Sequence, residues 1–282
     1  MKPLEFTGEL TQTEFDTFQD FFYRSTGIRF EASKRYYVDK RILGRITETG
    51  SGNFYNYMTL LKRKDSKAEL QHLVNVMTVN ETYFFRDESQ FECLIHSILP
   101  EVVAKLPRGR TIKIWSSPCS SGEEPYSMAL YLLEYWPLVD MYDIEIVGSD
   151  IDTHILESAA NGVYSWRSVQ HLPKSILGKY FQETSSGDYK FSDDIKSVVQ
   201  FKRVNIMDPI QTKQFREFDV IFSRNMLIYF DDISRRVAAD VFYDALRPGG
   251  FLCVAPTESL SHTSALFKLR RFPESHIYQR PL

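Results

Sequence analysis

The sequence predicts an α/β protein, with an open and mostly parallel sheet, preceded by a small all-helical domain. Three observations carry this. After about residue 88, strand-length apolar runs alternate with helical patterns: "TIKIWSS", "EPYSMALYLLEYW", "IEIVGSD", "THILESAANG", "FDVIFSRN", "ISRRVAADVFYDALRPGG" and "FLCVAPT". Such βαβα alternation builds a parallel sheet clothed by helices. Residues 11–75 instead repeat their apolar positions at spacings of three and four, with no strand-like alternation. A length of 282 residues accommodates two modest domains.

The elements follow in order. "TQTEFDTFQDFFYRSTG" has a Thr cap, early acids and a closing Gly27, and its Phe15, Phe18, Phe21 and Phe22 have the spacing of a core face. "SKRYYVDKRILGRITETG" starts at a Ser33 cap and ends at Gly50; "GNFYNYMTLLKRK" and "SKAELQHLVNVMTVN" supply two more helices. The helical domain with its linker is therefore expected over residues 1–88, and the α/β domain over 89–282. "FECLIHSILPEVVAKL" reads as a helix broken at Pro100. Residues from about 172 to 200 interrupt the alternation and read as an inserted β-subdomain, with Gly187 in its turn. "ALFKLRRFPESHIYQR" offers two short strands around Pro273, an antiparallel edge hairpin.

Composition narrows the function. No window approaches the length of apolar chain that spans a membrane. The N-terminal stretch alternates charged and apolar residues, so no secretory leader is expected. Cys93, Cys119 and Cys253 are odd in number and lack CxxC spacing, which argues against a disulfide framework or a metal centre and fits a reducing cytoplasm. A net charge of −3 gives no global attraction to nucleic acid. Charge is nonetheless uneven. Residues 24–45 hold seven basic side chains against two acids.

The chemistry concentrates in "WSSPCSSGEEPYS", residues 115–127. A strand, a turn of small residues and a helix is the layout of a nucleotide-cradling loop. Glu123 and Glu124 at the helix start would repel phosphate, and the loop holds only Gly122 where a dinucleotide fingerprint needs three glycines. Carboxylates pair instead with an ammonium or sulfonium. Asp150, ending "GSD" about 28 residues past Gly122, stands where such folds bind ribose hydroxyls. A ribose and positive charge without phosphate describe S-adenosylmethionine. The competing reading is that both glutamates merely complement the helix dipole. Asn80, Glu81, Thr82 and Arg86 lie beside the aromatic trio Tyr83-Phe84-Phe85 at the domain junction. Arg224, Asn225 and Tyr229 lie at the end of the strand "FDVIFSRN", in "FSRNMLIYF", where ligands sit.

With these stretches in hand, the chain closely resembles a known family. "TVNETYFFRD", "WSSPCSSGEEPYSMAL", "GSDID", "FSRNMLIYF" and "LRPGGFL" occur in the order found in bacterial chemotaxis receptor methyltransferases, the CheR family. The resemblance runs over nearly the whole chain. It implies a class I, Rossmann-like methyltransferase domain that transfers methyl from S-adenosylmethionine, leaving S-adenosylhomocysteine, to glutamate side chains on the cytoplasmic helices of chemoreceptors. It implies cofactor contacts at Asn80, Thr82, Arg86, Glu124, Asp150, Asn205, Ile206, Arg224 and Asn225. The sequence departs from the family at Ala255-Pro256-Thr257-Glu258, where members often carry Gly-His-Ser-Glu. Only the acid and the following Ser259 match, so no role passes to a histidine.

A glutamate is already ionised at neutral pH, so methylating it needs no general base and no metal. Proximity and orientation are the levers, and Arg86 and Tyr229 are the expected catalytic pair holding the acceptor oxygen. For docking, Lys34, Arg41 and Arg45 fall within about 40° of one another on a helical wheel and form a basic ridge suited to acidic receptor helices. A solvated charged face is the plainer alternative. The short insertion favours a member that acts without a receptor tether; a monomer is expected, with no nucleic acid and no membrane insertion. Cys119 needs only to be small. His72 and His96 are read as packing or surface residues, and Trp136 and Trp166 as packing. Two other classes compete: a cofactor-binding adaptor without catalysis, and a nucleic-acid or small-molecule methyltransferase. The latter's Asn/Asp-Pro-Pro-aromatic run is not what Asn225-Met-Leu-Ile offers.

Overall fold

The structure is a computed structural model that describes residues 8–63, 65–107, 109–261 and 263–282. Residues 1–7, where the N-terminal reading begins, lie outside the described residues. The chain divides into two compact units. One comprises the residues up to Val79 together with Tyr229–Ser234; the other comprises Asn80–Ile228 and Arg235–Leu282.

The first unit is helical: α1 (Gln12–Thr26), α2 (Arg35–Glu48), α3 (Phe54–Leu61) and α4 (Lys67–Met77). Thr11 and Glu14 form a reciprocal capping box at the start of α1, and Gly27, at φ 73°, ends it by returning its N–H to the Tyr23 carbonyl. Phe15, Phe18 and Phe22 are buried, whereas Phe21 is half-exposed. Ser33 does not cap α2. A 3-10 turn over Ala32–Lys34 leads into the helix, and Lys34 occupies the cap position without a side-chain bond. Val38, Ile42 and Ile46 of α2 bury with Tyr57, Leu73 and Met77. Within this unit Ile28 bridges to Phe230, the Arg29 N–H donates to the Tyr229 carbonyl at 3.2 Å, and the Tyr23 hydroxyl donates to Asp231 at 3.1 Å.

The second unit opens with α5 (Ser89–Cys93), a π-helical turn (Leu94–Ile98) and α6 (Leu99–Lys105). Pro100 was expected to break this helix. It sits instead in the first turn of α6, where a missing N–H is tolerated, and the π turn before it absorbs the change of register. There follow β1 (Ile112–Ser116), α7 (Glu123–Tyr135), β2 (Ile144–Asp150), α8 (Thr153–Asn161), β3 (Val163–Tyr164), α9 (Trp166–Val169), α10 (Lys174–Tyr180), β4 (Phe181–Glu183), β5 (Tyr189–Phe191) and α11 (Asp193–Lys196). The chain ends with β6 (Val199–Arg203), α12 (Pro209–Thr212), β7 (Phe218–Ser223), α13 (Asp232–Ala245), β8 (Leu246–Val254), β9 (Lys268–Arg271) and β10 (His276–Gln279).

Seven strands form one sheet in the order β6-β2-β1-β7-β8-β10-β9. The first five run parallel, and the terminal hairpin adds β10 and β9 antiparallel at one edge. The order reverses beside β1, so the C-terminal ends of β1, β2 and β7 define the crevice where such sheets bind ligands. Phe91 stacks on Phe222 at 5.9 Å, and Trp115 stacks on Phe215 at 4.5 Å with Phe242 of α13 at its edge. A separate three-stranded sheet, in the order β3-β5-β4, is the inserted β-subdomain. It begins at Val163, earlier than the expected 172, and β6 leaves it to pair with β2. Residues 80–88, read from sequence as the linker of the helical domain, fall in the second unit, where Phe84 packs edge-on against Tyr164 and Phe181. Trp136 is buried, but Trp166 is exposed, touching Tyr189, so its packing role is confined to the subdomain surface. His72 and His96 are exposed.

Candidate functional site

The loop from β1 to α7 is drawn tightly against the sheet. Ser117 donates its N–H to the Phe222 carbonyl at 2.9 Å, and Cys119 donates to the Ser149 carbonyl at 2.8 Å. Ser120 N–H donates to Asp150 at 2.9 Å, and Gly122 N–H to the Cys119 carbonyl at 3.0 Å. Gly122 has φ 91°, and a Cβ there would meet the Tyr126 ring at 3.0 Å and Ala159 at 3.1 Å. Glycine is thus required both for the turn and for close packing of α7. A Cβ on Gly148 of β2 would meet the Phe201 ring at 2.9 Å. Cys119 is buried, and burial beside Asp150 and Glu124 pushes its thiol well up, so it is inert as a nucleophile.

The two glutamates of the loop diverge. Glu123 turns toward the inserted subdomain, accepting from Ser121 at 2.6 Å and from Ser168 at 3.0 Å. Glu124 turns to the strand ends, accepting from Ser116 at 2.8 Å and from Arg224 at 3.1 Å. Burial raises the pKa of Glu124, while Arg224, Ser116 and Arg86 oppose the rise. Arg224 is almost fully buried and is also held by Asp87 and, at 2.6 Å, by the carbonyl of Arg86. Asp87 was not anticipated, although it ends the "NETYFFRD" run. Its backbone sits at φ 53°, which turns the segment back onto Arg224.

Asp150 ends β2. One carboxylate oxygen accepts from Ser120 N–H and the other from Asp152 N–H at 3.0 Å. Burial pushes its pKa up to about 6. Asp152 caps α8 and accepts from the Asn80 side chain at 2.8 Å, which brings Asn80 beside Asp150. Ser120 also donates to the Asn80 carbonyl at 3.4 Å. Thr82 lies half-exposed in the same segment. Val204 N–H donates to the Asp150 carbonyl at 2.9 Å, placing Asn205 and the buried Ile206 next beyond it. Asn225, at φ 58°, follows Arg224 directly. The predicted cofactor residues therefore gather at the carboxyl ends of β1, β2, β6 and β7.

Arg86 is half-exposed; its guanidinium donates to the Glu81 carbonyl at 2.9 Å and lies 5.8 Å over the Tyr83 ring. Among the described residues it makes no ion pair. Tyr229 falls in the helical unit, where it lies near Tyr37. The expected docking ridge is only partly outward. Arg45 is engaged by Glu69 and Glu48, and Arg41 stacks on Tyr37 and donates to the Val76 carbonyl. Lys34 is exposed, and the outward face of α2 carries Tyr36 and Lys40 instead.

The donor set discriminates between cofactors. The amides of Ser117, Cys119, Ser120 and Gly122 are already donated within the protein, and the carboxylates of Glu124 and Asp150 stand at the strand ends. The Asp150 carboxylate has about four acceptor positions, more than its three backbone donors use, so it can accept a further hydroxyl. Glu124 adds a buried anion nearby. These residues fit an adenosyl amino acid and not a dinucleotide. The fold and the site together define an S-adenosylmethionine-dependent methyltransferase.

Comparison with known proteins carries this further. Residues 80–275 match the family model "CheR methyltransferase, SAM binding domain", and residues 13–78 match "CheR methyltransferase, all-alpha domain". Chemotaxis protein methyltransferase 2 of Vibrio cholerae is 50% identical over 96% of this chain and 94% of its own length. The chemotaxis protein methyltransferases of Borreliella burgdorferi and Salmonella typhimurium are each 30% identical, over 89% and 93% of this chain and 89% and 88% of their own lengths. The chain belongs to the CheR methyltransferase family. No helix among the described residues is long and apolar enough to cross a membrane.

Proposed function

We propose that the protein is a protein-glutamate O-methyltransferase that esterifies glutamates on the cytoplasmic helices of chemoreceptors. Asn80, Thr82, Glu124, Asp150, Asn205, Ile206, Arg224 and Asn225 hold the cofactor, Asp150 by its ribose and Asn205-Ile206 on the adenine side. Bound S-adenosylmethionine supplies an electrophilic methyl group and leaves as S-adenosylhomocysteine. The chain's own work is to place an ionised carboxylate in line with that methyl group. The observation that carries this reading is Arg86, a cation without an ion-pair partner among the described residues, next in sequence to Asp87 and within electrostatic reach of buried Glu124. Asp87 and Glu124 both bind Arg224, which leaves the Arg86 guanidinium as a donor uncommitted to an ion pair that can hold the acceptor carboxylate. Arg86 orients that acceptor.

Charge removal from the acceptor explains why esterification is a signal: each methyl ester erases one negative charge on a receptor helix. The helical domain docks that helix through Lys34 and Arg41. Arg45 contributes through domain stability, being engaged by Glu69. Arg86→Ala should lower kcat by about 10²-fold or more, the scale of a lost orienting charge. Unchanged turnover in that variant would remove Arg86 from the mechanism. The function itself is tested with receptor fragments whose candidate glutamates are replaced by alanine. Transfer should vanish as those side chains are removed, and transfer that persists would point to another acceptor class.

A further inference from the structure

The sequence departs from its family just after β8, yet the acid of that run, Glu258, is kept, and no part of the cofactor or acceptor chemistry above uses it. Its carboxylate is largely buried. One oxygen accepts from Asn225 N–H at 2.9 Å and from Ala255 N–H at 3.1 Å. The other accepts from Leu227 N–H at 2.8 Å, and Ile228 N–H adds to the same group. One side chain thus ties the end of β8 to three residues beyond β7, Asn225, Leu227 and Ile228. Two features mark that segment as needing support. Asn225 holds φ 58°, a left-handed conformation uncommon outside glycine, although asparagine adopts it more readily than other side chains. The segment also carries no ladder bonds of its own, because β7 ends at Ser223.

We infer that Glu258 is a positioning residue for methyl transfer: it fixes the loop Asn225–Ile228 so that Asn225 meets the cofactor. The carboxylate acts as an anionic anchor for converging main-chain N–H groups, the reverse of an anion-binding nest. An amide cannot replace it, since its NH₂ end would face donors and leave two of the N–H groups unpaired. The inference rests on the reading that Asn225 contacts S-adenosylmethionine, and the experiment separates the two.

Binding of S-adenosylmethionine is measured by calorimetry for E258Q, N225A and the double variant, with the thermal midpoint of each recorded without cofactor. The expected result is a roughly tenfold weaker Kd in each single variant and no further loss in the double, since both changes break one path. E258D, which keeps the charge but shortens the reach, should recover part of the affinity and serves if E258Q does not fold. Additive losses, or an E258Q variant that melts earlier yet binds with unchanged Kd, would make Glu258 merely structural and overturn the inference. Loss in E258Q with none in N225A would overturn the route through Asn225 and also remove Asn225 from the cofactor site. Loss in N225A alone would keep that reading and sink the role of Glu258.

Discussion

Burial holds the Asp150 carboxyl at about 6 against its ordinary 3.8, because desolvation outweighs the backbone N–H groups of Asp152, Ser120 and Ile151. The folded chain therefore binds this proton more tightly than the unfolded chain. The group's contribution to stability is full below 3.8 and is lost as pH rises through about 6. In the proposed binding mode ribose hydroxyls donate to the ionised form, so cofactor binding has the opposite dependence. Affinity for S-adenosylmethionine should be level above about pH 6 and fall toward tenfold per unit below it. Calorimetry from about pH 7.5 to 5 checks this, and Asp150→Asn should bind weakly with a flat profile. Adjacent residues illustrate what sequence leaves open at this scale. Glu123 and Glu124 look equivalent in "GEEP", but a helix turns about 100° between them. One faces Ser121 and Ser168, the other Ser116 and Arg224.

At the scale of elements, the cradle depends on how closely the β1–α7 loop lies on β2. Gly148 is the tightest point, its absent Cβ standing 2.9 Å from the Phe201 ring and 3.3 Å from the Cys119 sulfur. Gly148→Ala must displace that ring, and should cost about 1–3 kcal/mol in a denaturant melt. Cofactor affinity should weaken in parallel, because Cys119 and Ser120 ride on the same contact. An unchanged melt would mean that Phe201 yields freely. The alternating βαβα order was legible because each long strand repeats the same apolar run. The start of the inserted subdomain was not, because β3 is only Val163–Tyr164, too short for alternation to register. Pro100 misled for a related reason. Sequence shows the missing N–H but not the π turn ahead that accommodates it. The predicted Lys34–Arg41–Arg45 ridge was a correct wheel with unknown neighbours. Glu69, which engages Arg45, arrives from α4.

For the whole molecule, the proposed division of labour gives cofactor chemistry to the sheet domain and receptor docking to the helical domain. Docking by exposed cations is long-range and screened by salt. Lys34→Glu should raise KM for a receptor fragment about two- to fivefold, leave kcat near wild type, and flatten the dependence of KM on ionic strength. A KM that does not move would place the docking surface elsewhere, and the outward Tyr36 and Lys40 would be the next residues to replace. The central claim is carboxyl methylation itself. It is tested most directly by incubating the protein with methyl-labelled S-adenosylmethionine and a receptor cytoplasmic fragment, then treating the labelled fragment with mild alkali. Label that enters the fragment and leaves as methanol is the predicted result. Label that stays bound through alkali, as on nitrogen, or no transfer by a protein that binds the cofactor, would contradict it.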